Sequence, residues 1–104
     1  MNYDEKKLKV NDALHHLELE TDGNTAFIVY KLTGHLLFLI HTEVPTELEG
    51  KGVGSAIVEK ALQFAKDNNY QIVPICPFVQ SYLKRHTAWN AIVAPNAERF
   101  IHKQ

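Results

Sequence analysis

The chain has 104 residues, enough for one domain with a modest core. Hydrophobic residues make up 45% and charged residues 22%, as in ordinary globular chains, and 11 Lys+Arg against 12 Asp+Glu leave a formal net charge of −1. That balance argues against electrostatic capture of nucleic acid or an anionic membrane, which needs a clear basic excess. Cys76 is the single cysteine, so no internal disulfide forms and a reducing cytosol is the natural setting. The start MNYDEKKLKV lacks the apolar stretch of a signal peptide, and no apolar run approaches the ~20 residues that span a bilayer. The expectation is a cytoplasmic monomer or weak dimer, one domain with its core over about residues 14–93.

Residues 1–11 are polar and charged and are expected as a loose arm, with room for a short strand. His16-Leu17-Glu18-Leu19-Glu20 alternates polar and apolar, the pattern of a strand with one wet face. Thr21-Asp22-Gly23-Asn24 is then a tight turn, because Asp and Gly tolerate positive φ. The β-branched and aromatic run Ala26 to Leu32 predicts a second strand, covered on both faces for much of its length. Thr33-Gly34 turns the chain into a third strand from His35 to Thr42. Three strands joined by such short turns make an antiparallel meander.

Glu43 to Glu49 contains Pro45 and reads as a loop leading into Gly50-Lys51-Gly52-Val53-Gly54-Ser55. From Val53 to Asn68 the residues Val53, Ala56, Ile57, Val58, Ala61, Leu62, Phe64 and Ala65 recur at helical spacing. That is an amphipathic helix, ended by Asn68-Asn69, since Asn tolerates the left-handed conformation of a C-cap. Tyr70 to Cys76 is a further strand, and the helical crossover makes it parallel to the third. Pro74 cannot donate to a ladder, so the strand is unpaired there, at an edge or where two strands splay apart. Pro77 opens a second helix, in which Phe78 with Tyr82 and Val79 with Leu83 form apolar pairs. Lys84, Arg85 and His86 close it at the end that favours positive charge. Trp89, Ile92, Val93, Phe100 and Ile101 suggest a tail packed on the domain.

Three features carry chemistry. The glycine turn sits between a strand and a helix, where backbone N–H groups and the helix start can hold a phosphate. It is alternatively a turn that merely needs three flexible residues. No Gly-Lys-Ser/Thr closes it as a Walker loop, and Ile57 stands where the dinucleotide fingerprint needs its third glycine. Cys76, ahead of Pro77, is either a thiol activated by a helix start or a buried small hydrophobe. His41-Thr42-Glu43 ends the third strand; if that strand and the Cys76 strand are parallel neighbours, their carboxyl ends lie side by side, where open α/β sheets bind ligands. His41 or Glu43 there is a candidate general base, or else part of a solvated strand end. A metal site is not expected: Pro74-Ile75-Cys76-Pro77 lacks the second cysteine of zinc deaminases, and the other histidines lack H-E-x-x-H spacing.

Taken together, these elements resemble the GNAT superfamily of acyl-CoA N-acyltransferases, in which Arg/Gln-x-x-Gly-x-Gly/Ala wraps the pyrophosphate of coenzyme A. Gly52 and Gly54 match the two small positions, while Glu49 stands where Arg or Gln is usual. The chain is most similar to the minimal single-domain subfamily, through His41-Thr42-Glu43-Val44-Pro45, the glycine loop, Cys76-Pro77-Phe78-Val79, Tyr82-Leu83 and His86, over about Leu17 to Val93. The resemblance implies a mixed α/β fold, with an antiparallel meander leading into a parallel, splayed strand pair and two main helices. It implies an acetyl-CoA-dependent N-acetyltransferase acting on an amine, with no metal.

By the same resemblance Val44, Glu49, Gly50, Lys51, Gly52, Val53, Gly54 and Ser55 hold the pantetheine and pyrophosphate, and Pro77, Phe78, Ser81, Tyr82 and Lys84 flank the coenzyme. Tyr82 protonates the leaving thiolate or packs against Phe78. Cys76 faces the thioester, with His41 close by, and His41, Glu43 or a water deprotonates the acceptor amine. Transfer is then direct, or passes through an acyl-Cys76 intermediate. Typical members build the acceptor site from helices between their first two strands. Here the Asp22-Gly23 hairpin replaces them, so the acceptor side is expected to be open and to admit a protein amine or a small amine. The rival readings are a non-catalytic CoA or acyl-CoA sensor and a small interaction protein whose glycine turn is purely structural.

Overall fold

The computed structural model describes residues 3–100. Its strands are β1 (Lys9–Asn11), β2 (His16–Thr21), β3 (Asn24–Thr33), β4 (Leu36–Glu43) and β5 (Gln71–Pro74), and its helices are α1 (Val53–Asp67) and α2 (Pro77–Arg85). Short 3₁₀ segments cover Thr46–Leu48, Thr87–Ile92 and Pro95–Phe100. The strands lie in one sheet in the order β1-β2-β3-β4-β5. The first four pair antiparallel, and β5 joins β4 parallel after the α1 crossover. This is the mixed α/β arrangement expected from the pattern.

Asp22 (φ 55°) and Gly23 (φ 77°) are both left-handed, which closes the β2–β3 hairpin with two residues. Asn69 (φ 61°) takes the left-handed position just after α1. Leu17, Leu19, Ala26, Ile28, Leu37 and Leu39 project from one face of the sheet and are fully buried. Val53, Ile57, Val58, Ala61, Leu62 and Ala65 of α1 and Val79 and Leu83 of α2 meet them. Each large aliphatic side chain buried in this way contributes roughly 1.5–3 kcal/mol.

Both helices pack on that face, so β3 is not covered on both sides as its run of apolar residues suggested. Only Ala26 and Ile28 are buried along it, and Lys31 to Thr33 are exposed. On the second face Phe27 is half-buried, sheltered by the ring of His16 stacked at 3.9 Å between centroids.

The segments at either end are tied to the sheet. Residues 9–11 pair with β2, and Tyr3 is buried. Along the outer edge of β5, Val93 bridges to Ile72 and the Ala94 N–H donates to the Ile72 carbonyl at 2.9 Å. Val93, Ala94 and Ala97 are buried and Trp89 and Ile92 half-buried, while Ile101 lies outside the described residues.

Two irregularities shape one end of the sheet. β3 and β4 stay in register up to Tyr30↔Leu39, then resume at Val29↔His41, leaving Ile40 as an extra residue in β4. Strict alternation from Leu37 and Leu39 would turn His41 toward the helices. The bulge inverts the phase: Thr42 faces Ile28 on the core side, and His41 and Glu43 pair with Val29 and Phe27 on the other. The second irregularity is the end of the β4–β5 ladder at Leu39↔Pro74. Pro74 has no N–H to continue it. The N–H groups of Ile75 and Cys76 both donate to the Leu39 carbonyl, at 3.0 and 2.9 Å, and the chain turns off into α2. β4 runs on to Glu43 without β5 beside it, so the two strands splay.

Candidate functional site

At the splay a cleft of about 510 Å³ opens between the end of β4, the glycine turn and the start of α2. Thr42, Glu43 and Val44 form one wall, Glu49 to Ser55 the base except for Lys51, Leu48 part of the floor, and Phe78 the far side. The three glycines of the turn are required for two different reasons. Gly50 and Gly52 both have φ +78°, a conformation costly for other residues, and open space lies where their side chains would be. Gly54 lies inside α1, and a Cβ there would come within 2.8 Å of the Phe78 Cζ. It is needed so that helix and ring can approach.

Gly52 caps α1 without a side-chain acceptor, and no acidic residue stands in the first turn. The Gly52 carbonyl takes the Ala56 N–H at 3.0 Å, which starts the helical ladder. The N–H groups of Val53, Gly54 and Ser55 precede the first residues that helical geometry can satisfy, and they carry the positive end of the helix dipole. An anion suits this end, and the cleft places it beside open space. The exposed Glu49 carboxylate borders the same space. Lys51 is exposed, and its carbonyl accepts the Tyr3 hydroxyl at 2.8 Å.

Cys76 is the N-cap of α2, is 3% exposed, and has its Sγ 3.3 Å from the Thr42 Oγ1. Pro77 takes the first helical position, where its missing N–H is harmless. The Gln80 side-chain amide donates to the carbonyls of Pro74 (2.9 Å) and Ile75 (3.2 Å), satisfying groups that the end of the ladder leaves over. His41 does not face Cys76. Its Nε2 meets Glu43 Oε1 at 2.9 Å, with the two side chains 59% and 55% exposed. The pair stands at the mouth of the splay, on the sheet face away from the helices.

The remaining expected residues are elsewhere. Tyr82 is nearly buried, stacks on His86 at 4.1 Å rather than on Phe78, and lines a separate cavity of about 660 Å³ with Tyr3, Ser55 and Glu59. Burial pushes its phenol up from the usual range, the Glu59 carboxylate adds to this, and Arg85 opposes it. Six residues along a helix separate Tyr82 from Cys76 by about 9 Å of rise. Ser81 and Lys84 are exposed on α2 and border neither cavity.

Sequence reasoning overlooked Thr42, Leu48 and Tyr3. Thr42 lay inside the noted His41-Thr42-Glu43 motif, yet a bulge that reverses facing has no sequence signal. Tyr3 was visible as the one aromatic side chain in a charged arm.

Among the described residues no group of three or more His, Cys, Asp or Glu is placed to hold a metal ion. No helix among them is long and apolar enough to cross a membrane. A family model described as GCN5-related N-acetyl-transferase matches residues 16–92, a span that includes the whole cleft.

Proposed function

The chain belongs to the GCN5-related N-acetyltransferase family, whose activity is acyl transfer, and from that premise we propose that it moves an acetyl group from acetyl-CoA to an amine. One observation carries the coenzyme half of this reading: the uncapped start of α1, behind two left-handed glycines, faces a cleft that ends at Thr42, whose hydroxyl lies against the buried Cys76 thiol. In it the pyrophosphate lies on the N–H groups of Gly52 to Ser55. The pantetheine arm runs along the edge of β4 left open beyond Leu39 and bonds its backbone around Val44. Glu49, where a cation would be usual, contributes no attraction, so the backbone supplies the hold.

The donor brings an activated thioester, which this end of the cleft positions beside Thr42, with the Cys76 thiol behind it. Cys76 walls the acetyl end, and transfer is direct. His41, oriented by Glu43, takes the proton of the attacking amine as the nitrogen–carbonyl bond forms. The carbon–sulfur bond breaks, and the thiolate takes a proton from water. General-base assistance of this kind is worth roughly 10²–10⁴ in rate. Tyr82, turned into the other cavity, has no step. The His41 and Glu43 side chains are 59% and 55% exposed, so an amine on a protein surface reaches them as readily as a small amine.

Titration with CoA and acetyl-CoA, following the amides of Gly50 to Ser55, tests the coenzyme site; no response to either would end this reading. Thiol release with a panel of amines tests transfer, and His41→Gln is expected to lower the rate at least tenfold with the KM for acetyl-CoA unchanged. The open acceptor side favours one second reading, an acyl-CoA sensor. Coenzyme binding without transfer to any amine would select it.

A further inference from the structure

Tyr3 lies outside the matched region, yet it touches the one loop on which the coenzyme reading depends. Its ring is 7% exposed within the core, and its hydroxyl donates to the Lys51 carbonyl at 2.8 Å, a contact 48 residues away in sequence. Lys51 stands between Gly50 and Gly52, both at φ +78°. Because Gly52 accepts φ of either sign, the Lys51–Gly52 peptide plane can rotate at modest cost, and the local sequence alone does not fix which way it points.

In a trans peptide the carbonyl and the following N–H point in opposite directions. Tyr3 borders the larger cavity and not the cleft, whereas Gly52 borders both. A carbonyl drawn toward Tyr3 therefore turns the Gly52 N–H the other way, to the side of the cleft. A rotated plane would instead present a carbonyl oxygen to an anion bound there, replacing attraction by repulsion.

We infer that Tyr3 is a positioning residue for the anion cradle: by holding the Lys51 carbonyl it keeps the Lys51–Gly52 peptide in the orientation that accepts the coenzyme's pyrophosphate. The inference rests on the reading of the cleft as a coenzyme A site. It assigns to an arm outside the family match a control over affinity for the phosphate-bearing part of the donor, and none over the chemical step.

Tyr3→Phe tests it, since the ring and its packing remain and only the hydroxyl is lost. One net hydrogen bond biases the plane enough to weaken binding roughly three- to tenfold. Calorimetry with CoA is expected to show that loss. In turnover the KM for acetyl-CoA should rise by the same factor with kcat held, and the KM for S-acetylpantetheine, which has no pyrophosphate, should not move. Equal CoA affinity in Tyr3→Phe and the natural chain would overturn the inference. So would an equal loss with S-acetylpantetheine, which would make Tyr3 a general structural support. A natural chain that binds no CoA would instead refute the coenzyme reading itself.

Discussion

Gly54→Ala separates the proposed coenzyme role of the glycine turn from its structural role. Two effects on stability oppose each other. Alanine in place of glycine in a helix gains up to about 1 kcal/mol, less in the first turn, where residue 54 stands. Against this, the new Cβ would sit 2.8 Å from Cζ and 3.2 Å from Cε2 of Phe78. Carbon atoms ordinarily rest at about 3.5–4.0 Å, so the ring must withdraw by about 1 Å. Phe78 is 40% exposed, so it can swing out without opening the core. The net change in stability is therefore expected to stay within about 1 kcal/mol, measured by urea unfolding. Binding should behave differently. Phe78 and Gly54 both line the cleft, and a displaced ring intrudes on it or leaves its wall incomplete. Affinity for CoA is expected to fall about tenfold, or about 1.4 kcal/mol, by calorimetry. A cycle with Phe78→Ala isolates the cause: once the ring is gone, adding Gly54→Ala should cost almost nothing. Undiminished CoA affinity in Gly54→Ala would refute the reasoning. A loss of stability above about 2 kcal/mol, or a binding defect that persists without Phe78, would refute it equally.

Gly52→Ala should act the other way: no atom obstructs its Cβ, but φ +78° strains any other residue by about 1–2 kcal/mol, a stability loss that unfolding in urea would register. Cys76→Ala is expected to keep the rate of acetyl transfer within about threefold, because removing a wall costs less than removing a nucleophile; a fall beyond a hundredfold, with a trapped acyl group on the natural protein in mass spectrometry, would establish the acyl-cysteine route instead. Tyr30 links stability to alkaline pH. Burial, together with the Asp12 carboxylate that accepts its hydroxyl at 2.9 Å, raises its phenol to about 12. The folded chain thus holds this proton where the unfolded chain, near 10, has released it. The stabilisation is complete below about pH 10 and fades as pH rises toward 12, so the melting temperature should drop more steeply across that window in the natural chain than in Tyr30→Phe. Parallel curves would show that Tyr30 does not carry the effect.

Much of the architecture follows from local chemistry. The alternation of Leu17 and Leu19, the Asp22-Gly23 turn, the helical spacing from Val53 to Ala65 and the proline at the start of α2 are each decided within a few residues. Those signals sufficed for the meander, the crossover and the parallel strand. The two conformational glycines and the uncapped helix start could be anticipated in the same way, because a left-handed turn before a helix is a property of the backbone. Covering of the sheet was not decided locally. A run such as Ala26 to Leu32 reads the same whether helices pack on one face or both, and here they pack on one.

The site shows where this limit falls. His41, Cys76 and the glycine turn could be picked out from residue type and order, and Pro74 pointed to a gap in the sheet. Which member of His41-Thr42-Glu43 meets the thiol could not, because one extra residue in β4, set by its pairing with β3, reverses every side chain beyond it. Tyr82 likewise matched by type and spacing yet turns toward His86 and away from the cleft, since the rotation of a helix about its axis depends on what packs beside it. The amino-acid sequence alone determined the elements and the chemistry within reach. Tertiary structure decided which groups face one another, because strand register, helix rotation and a contact such as Tyr3 to Lys51 arise only between segments distant in the chain.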